Sequence, residues 1–246
     1  MSVKRFIQMK LSKVKTDKSD SRLICEYAKQ VELKLWKGNS KEQTECLQMA
    51  RLLDVYTKQC TMIKNKLHGE EVLGNPSRAV VSSLNRSKKH IEKEMAELEK
   101  KLLMTVKQAH QEVLTCVKSI PGIGTKTGVM LIVLTGGFER FSSASELCSY
   151  AGLTPIIRNS GSSVNGRSRI SKMGNQKLRS LLFMCSFSAV KYNRACKAIY
   201  DRIVAKGKSK KLALIAVCNK LLKQAFAVAK SGLKYDKEYK SVLVKN

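Results

Sequence analysis

Proline interrupts this chain at only three places, Pro76, Pro121 and Pro155. Proline removes a backbone donor and clashes with the preceding turn, so the stretches between these points are free to be helical. Apolar residues recur through them at three-to-four spacing. Leu23, Ile24, Tyr27 and Val31 share one side of residues 16–36, which open on the capping pair Thr16 and Asp17. Leu47, Leu52, Val55, Met62 and Ile63 continue the period through residues 42–67, and GEEVLGNPS at 69–77 ends it. The spacing predicts a mainly α fold.

After Pro76 the period changes. Leu84, Ile91, Met95, Leu98, Leu102 and Ala109 fall at heptad-like intervals, flanked by Lys88, Glu92, Lys93, Glu94, Glu97, Glu99 and Lys100. A narrow apolar seam with charged borders fits a coiled coil, and equally an amphipathic helix packed on its own domain. Nine of the 14 glycines then lie between Gly122 and Gly174, which makes this the loop-rich part of the chain. Three further helices are expected at about 174–190, 193–205 and 209–230, with Leu212, Ile215, Ala216, Leu222 and Phe226 as core stripes.

Charge narrows the partners. Lysine and arginine number 47 against 19 acidic residues, a formal charge of +28. Such an excess points to a polyanion, most often nucleic acid. The excess is concentrated towards the carboxyl terminus: residues 1–117 hold 23 basic and 14 acidic side chains, residues 118–246 hold 24 and 5. No carboxylate occurs from Leu147 to Tyr200, so paired-carboxylate catalysis cannot come from that stretch. No run of about 18 apolar residues is evident, and the basic start MSVKRFIQMK lacks the apolar segment of a secretory signal, so no membrane partner is expected. The eight cysteines form no CxxC pair and have no histidine at zinc-site spacing, which predicts buried, reduced thiols in a cytosolic protein.

Three segments could carry chemistry. In Ser119-Ile120-Pro121-Gly122-Ile123-Gly124-Thr125-Lys126 an apolar helix runs into PGIG and a second apolar helix follows, the pattern of a helix-hairpin-helix element. Gly122 and Gly124 would let the backbone approach a phosphate, and Lys126 adds a point charge; the alternative is a tight turn that binds nothing. In residues 158–172 serine, glycine and arginine alternate without a hydrophobic anchor, which reads as a flexible loop touching phosphates through Arg158, Arg167, Arg169 and Lys172. A serine there needs activation by a base, a metal or cations, and no histidine or carboxylate is near in sequence. In Lys15-Thr16-Asp17-Lys18-Ser19-Asp20 two aspartates share a helix face and could reach one metal ion, or could serve the helix dipole as an amino-terminal cap.

In order and together these segments resemble the Piv-type insertion-sequence transposases, insertion-sequence family 110/116/902, whose relatives include DNA invertases and bridge-RNA-guided recombinases. The matching pieces are VKRF (3–6), KTDKSDSRL (15–23), the long charged helix, SIPGIG (119–124), FSSASELCSYAGLTP (141–155), RNSG (158–161) and RISKMGNQKLRSLLF (169–183). The resemblance implies that residues 1–75 are the closing part of an RNase-H-like, RuvC-type α/β domain, 76–117 a coiled-coil linker, and 118–246 a transposase domain with a helix-hairpin-helix-like element. It implies Asp17 and Asp20 as the third and fourth acids of a DEDD set holding Mg²⁺. It implies Ser160 as the nucleophile that forms a phosphoserine link to DNA, with Ser162 and Ser163 close enough to exchange the role. Double-stranded DNA, a guide RNA and a homo-oligomer (dimer or tetramer) built through the coiled coil are the implied partners, in a bacterial or archaeal cytoplasm.

One departure shapes the expectation. The first two acids should precede Lys15, and the residues before it contain no Asp or Glu. The chain therefore reads as the carboxyl-terminal part of such an enzyme, expected to bind DNA without recombining it unaided, with Leu33, Leu35 and Trp36 left uncovered at a poorly ordered amino terminus. The alternatives are a non-catalytic DNA-binding fragment that pairs with intact protomers through residues 84–116, and a basic RNA-binding protein. Aromatic residues are 6% of the chain with no clustered platform, which disfavours base stacking.

Overall fold

The computed structural model describes residues 3–10, 16–33, 38–156, the backbone of 159–160 and 164–165, and 169–238. Contacts divide the chain into two compact units, Met1–Asn39 and Ser40–Asn246.

The first unit contains α1 (Val3–Met9) and α2 (Asp17–Gln30). Phe6 and Tyr27, both buried, meet edge to face with centroids 5.3 Å apart, and Lys10 Nζ lies 3.2 Å from Glu26. Thr16 and Ser19 form a reciprocal capping box at the start of α2. Leu33 is exposed, as expected; Leu35 and Trp36 lie outside the described residues.

The second unit begins with α3 (Lys41–Val72) and α4 (Arg78–Lys118), joined by a short turn through Gly74 and Pro76. Ser40 caps α3 by accepting from the Gln43 N–H at 3.1 Å. The two helices pack as an antiparallel hairpin, with Lys101 on Glu45 at 3.0 Å across the pair. Leu102 and Val106 are buried with Cys46, Met49, Ala50 and Leu53 in one cluster, and Met95 and Leu98 pack against it. The middle of the heptad seam, Met95 to Leu102, thus packs into the core of the same chain, while Leu84 and Ile91 are half-buried and Ala109 is exposed. The expected stripe of α3 is met in part: Ile63 is buried and Leu47 packs against the core, but Leu52, Val55 and Met62 are exposed, and Cys46, Met49, Leu53 and Cys60 are inside instead. Near its end α4 bends at His110, whose φ and ψ of −142° and 40° are non-helical.

Then follow α5 (Thr125–Thr135), α6 (Ala144–Tyr150), four two-residue strands, and α7 (Gln176–Tyr192), α8 (Arg194–Ala205) and α9 (Lys210–Ser231). Helix α5 is buried almost all round, packed on α3, α4 and α7, and its C-cap is the left-handed Gly136. Helix α9 packs on α4, α6, α7 and α8 through Leu214, Val217, Cys218, Leu221, Leu222, Ala225 and Val228. Contrary to the sequence expectation, α9 is long and apolar enough to cross a membrane, with mean hydropathy 1.5, but half of that window is buried inside the protein. Its two interior lysines, Lys220 and Lys223, hid the run from a search for unbroken apolar residues. The expected three carboxyl-terminal helices are present.

Candidate nucleic-acid interface

The segment after α6 is a stepped β-ribbon. Strand β1 (Pro155–Ile156) pairs antiparallel with β4 (Arg169–Ile170), Pro155 opposite Ile170 and Ile156 opposite Arg169. Further out, β2 (Asn159–Ser160) pairs with β3 (Val164–Asn165), Ser160 opposite Val164. The ladder continues inward: Ser171 N–H donates to Thr154 O at 2.9 Å, Lys172 N–H to Gly152 O at 3.2 Å, and Asn175 N–H to Tyr150 O at 2.9 Å. The expected unanchored loop is therefore corrected to a hairpin with a fixed stem, because backbone pairing supplies an anchor that composition cannot show. Ser160 is on the outer ladder; Arg158, Arg167, Ser162 and Ser163 lie outside the described residues.

The foot of the hairpin is locked by tight packing. Gly174 has φ +138°, and a Cβ there would stand 2.2 Å from Tyr150 O; Gly152, at φ +68°, would meet Arg179 Nη1 at 2.6 Å. Asn175 caps α7, accepting from the Leu178 N–H at 3.0 Å while its Nδ2 donates to the Tyr150 hydroxyl at 3.2 Å. Arg179 Nη1 donates to Ala151 O at 2.8 Å. Arg169 and Lys172, both exposed, flank this foot on β4 and just after it. Lys172 itself is left-handed, φ +54°.

The PGIG segment is a turn between α4 and α5. Gly122 has φ +105° and presses on α7, where its added Cβ would lie 2.7 Å from Ala189 Cβ. Its glycine is thus required by helix packing. Gly124 is the N-cap of α5 with φ −83°, and a Cβ there would meet nothing within 4 Å. Lys126 is paired with Glu99 of α4. Behind the turn lies a polar cluster, centred on the buried Asn193, that sequence reading missed. Asn193 Nδ2 donates to Gln224 Oε1 at 3.0 Å, the Tyr235 hydroxyl donates to Asn193 Oδ1 at 3.1 Å, and the Tyr235 N–H donates to Ser119 Oγ at 2.7 Å. The cluster holds the chain after α9 against the turn, and burial pushes the Tyr235 phenol up from its ordinary value. No local sequence signal marks it, since its members are 119, 193, 224 and 235.

Helix α7 joins the two elements. The hairpin foot is at its first residue, Gln176, and the PGIG turn at Ala189, thirteen residues on, about 20 Å along the axis.

Asp17 and Asp20 are in the first unit, in the opening turn of α2, Asp17 exposed and Asp20 half-buried. Among the described residues no group of three or more His, Cys, Asp or Glu could hold a metal ion. All eight cysteines are free, seven of them buried; Cys25 is exposed, against expectation. Burial pushes the thiols of Cys196 and Cys218 up to about 12.

The comparisons converge on one family. A model of the transposase IS116/IS110/IS902 family matches residues 114–201, a span that runs from the end of α4 through the hairpin into α8. The pilin gene-inverting protein of Moraxella lacunata is 31% identical over 229 residues, covering 92% of this chain and 69% of that protein. The transposase for insertion sequence element IS1111A of Coxiella burnetii is 23% identical over 235 residues, covering 84% and 64%. An insertion element IS110 protein of Streptomyces coelicolor is 33% identical over 118 residues, covering 48% and 29%. Because the likeness to the gene-inverting protein runs through nearly all of this sequence and the family match falls on the hairpin and its supports, the chain belongs to the IS116/IS110/IS902 transposase family.

Proposed function

We propose that the chain is a DNA transposase or site-specific recombinase whose residues 118–246 cleave and rejoin DNA strands during movement of an insertion sequence. The observation that carries this reading is the hairpin: the Ser160 backbone stands on a ladder rooted in a buried helical core, within a stretch free of carboxylates and inside the span matched by the family. In sequence this serine lies in a stretch rich in arginine and free of carboxylates, a composition that suits attack on a phosphodiester once the hydroxyl is activated. Ser160 Oγ forms a bond to phosphorus, its proton passes to solvent, and the departing strand leaves as a hydroxyl. The reverse step onto a new strand releases the serine. Gly124 and the first turn of α5, with Lys126, meet a second stretch of backbone as a helix-hairpin-helix element. Duplex DNA is the substrate, a guide RNA supplies specificity, and the α3–α4 hairpin joins protomers as a coiled-coil element, in the cytoplasm. Residues 1–75 close the RuvC-like domain in this reading.

Mg²⁺ is tested against the residues present. Asp17 and Asp20, one helical turn apart, offer two carboxylates, whereas two-metal phosphoryl transfer uses more. The described residues fit half a site, so no step is routed through the ion.

A second reading, a DNA-binding protein without cleavage, is favoured by one observation. The Thr16–Ser19 capping box places Asp17 and Asp20 where acids stabilise a helix start without any metal.

The test is trapping of a covalent protein–DNA adduct on insertion-end duplex with Mg²⁺. A form extended to carry the first two acids of the DEDD set should give a phosphoserine adduct and its Ser160→Ala variant none, with duplex binding unchanged. An adduct lost only in Ser162→Ala or Ser163→Ala moves the nucleophile. Duplex binding with no adduct from any chain supports the second reading.

A further inference from the structure

At the junction of β4 and α7, Ile170, Lys172, Gln176, Arg179 and Ser180 line an open pocket of about 500 Å³. Gln176, Arg179 and Ser180 are at i, i+3 and i+4 on α7, so they share one face. Lys172 joins them from a left-handed backbone, φ +54°, a conformation that costs a non-glycine residue about 1 kcal/mol. The hairpin ladder holds it there, through its own N–H to Gly152 O. Arg179 is oriented by a single donor to Ala151 O at 2.8 Å, and no other hydrogen bond of its guanidinium is made among the described residues.

The charge balance sets this pocket apart. Lys177, on the same helix, is neutralised by Asp54 at 2.6 Å, and Lys126 by Glu99. Lys172 and Arg179 have no carboxylate partner among the described residues, and the sequence has none from Leu147 to Tyr200. Two unpaired cations in a concavity focus a positive field that only an anion relieves. Arginine donors in a planar fork, an ammonium and an amide suit the oxygens of a phosphodiester.

We propose that this pocket binds one backbone phosphate of the DNA strand presented to the Ser160 hairpin, with Lys172, Arg179 and Gln176 as its ligands and Ser180, whose hydroxyl donates to Gln176 O at 3.1 Å, on its rim. The proposal rests on the strand-transfer reading above. Its consequence is register. From Ile156 on the stem to Ser160 is four residues, at most about 14 Å of chain. A phosphate seated at the foot of the stem therefore sets which bond of the strand the hairpin addresses. The pocket residues are positioning residues: they fix which phosphate reaches the serine.

The experiment is a salt titration of duplex DNA binding by the full chain. It compares wild type, Ser180→Glu and Lys172→Gly with Ser87→Glu, an exposed control on the first half of α4. Glutamate at 180 pairs with Lys172 and Arg179 and excludes phosphate; glycine at 172 removes a cation and suits the left-handed backbone. Each pocket variant should bind about tenfold or more weakly and lose about one unit of the log–log salt slope, while Ser87→Glu keeps the wild-type slope. Lys172→Gly keeps the fold by relieving strain, so it decides the matter should Ser180→Glu melt early. Wild-type slopes in both pocket variants overturn the pocket and leave the strand-transfer reading standing. A wild-type chain that binds no duplex overturns both. Slope loss on single-stranded RNA but not on duplex overturns the assignment to DNA.

Discussion

Gly122 lies against Ala189 so closely that a Cβ added to the glycine would stand 2.7 Å from the Ala189 Cβ and 2.9 Å from its backbone nitrogen. With φ at +105°, the position is closed to any side chain by both backbone and neighbour. The pair sets the angle at which α4, the PGIG turn and α7 meet.

Gly122→Ala should therefore cost at least about 2 kcal/mol, the sum of backbone strain and overpacking. Gly124→Ala, with φ −83° and open space at its Cβ, should stay within about 1 kcal/mol of wild type. Urea unfolding of the two variants separates them. If Gly124 admits a phosphate to the α5 terminus, its alanine variant should be stable yet weaker on DNA. Equal duplex affinity would remove the PGIG turn from the interface.

Glu99 holds Lys126 at the start of α5. Glu99→Gln frees the ammonium, and duplex affinity should rise several-fold with the salt slope steepened by about one unit. Stability should change little, since the pair is exposed. An unchanged slope would mean that Lys126 does not reach DNA.

Tyr235→Phe removes the hydroxyl donated to Asn193 and should cost about 1 kcal/mol. The sign of the pH effect follows from the raised phenol. Its contribution is complete below the ordinary tyrosine range and is lost as pH rises through the higher folded-state value. Wild type should lose stability between neutral pH and strongly alkaline pH more than Tyr235→Phe does, measured as the difference in thermal midpoints. Parallel curves would show that the phenol does not couple to folding.

Native alkylation at pH 8 should modify Cys25 alone. The seven other thiols are buried, and those of Cys196 and Cys218, pushed up to about 12, hold no thiolate at that pH. Mass spectrometry should show one adduct in the folded chain and eight after denaturation. Rapid labelling of Cys218 in the native protein would contradict the packing of α9.

Helix content was readable from period and from the scarcity of breakers, and the last three helices appear close to where their apolar spacing puts them. The phase of the faces was less readable. On α9, of the expected stripe, Leu222 is buried and Ile215 and Phe226 pack against the core, but Leu212 is exposed, and the buried side also takes in Ala213, Leu214, Val217, Cys218, Leu221, Ala225 and Val228. A helix embraced by four neighbours hides small residues such as Ala213 and Cys218, which a ranking by side-chain size passes over. Likewise, the heptads of α4 could face another chain or this one, and spacing alone carries no information on which helix covers them.

What the sequence by itself determined is local and chemical: a helical chain, a strongly basic half without carboxylates between Leu147 and Tyr200, a glycine-rich middle, and ordered motifs that mark the family. These follow from side-chain chemistry and from periods of a few residues. Only the tertiary structure decided that the serine-bearing segment is a hairpin with a rooted stem, and that Gly122 serves Ala189. It alone decided that Lys126 and Lys177 are neutralised while Lys172 and Arg179 are not. Each of the contacts that settle these points joins residues distant in sequence, and chain proximity contains no record of which distant carboxylate, carbonyl or helix face will arrive when the core closes.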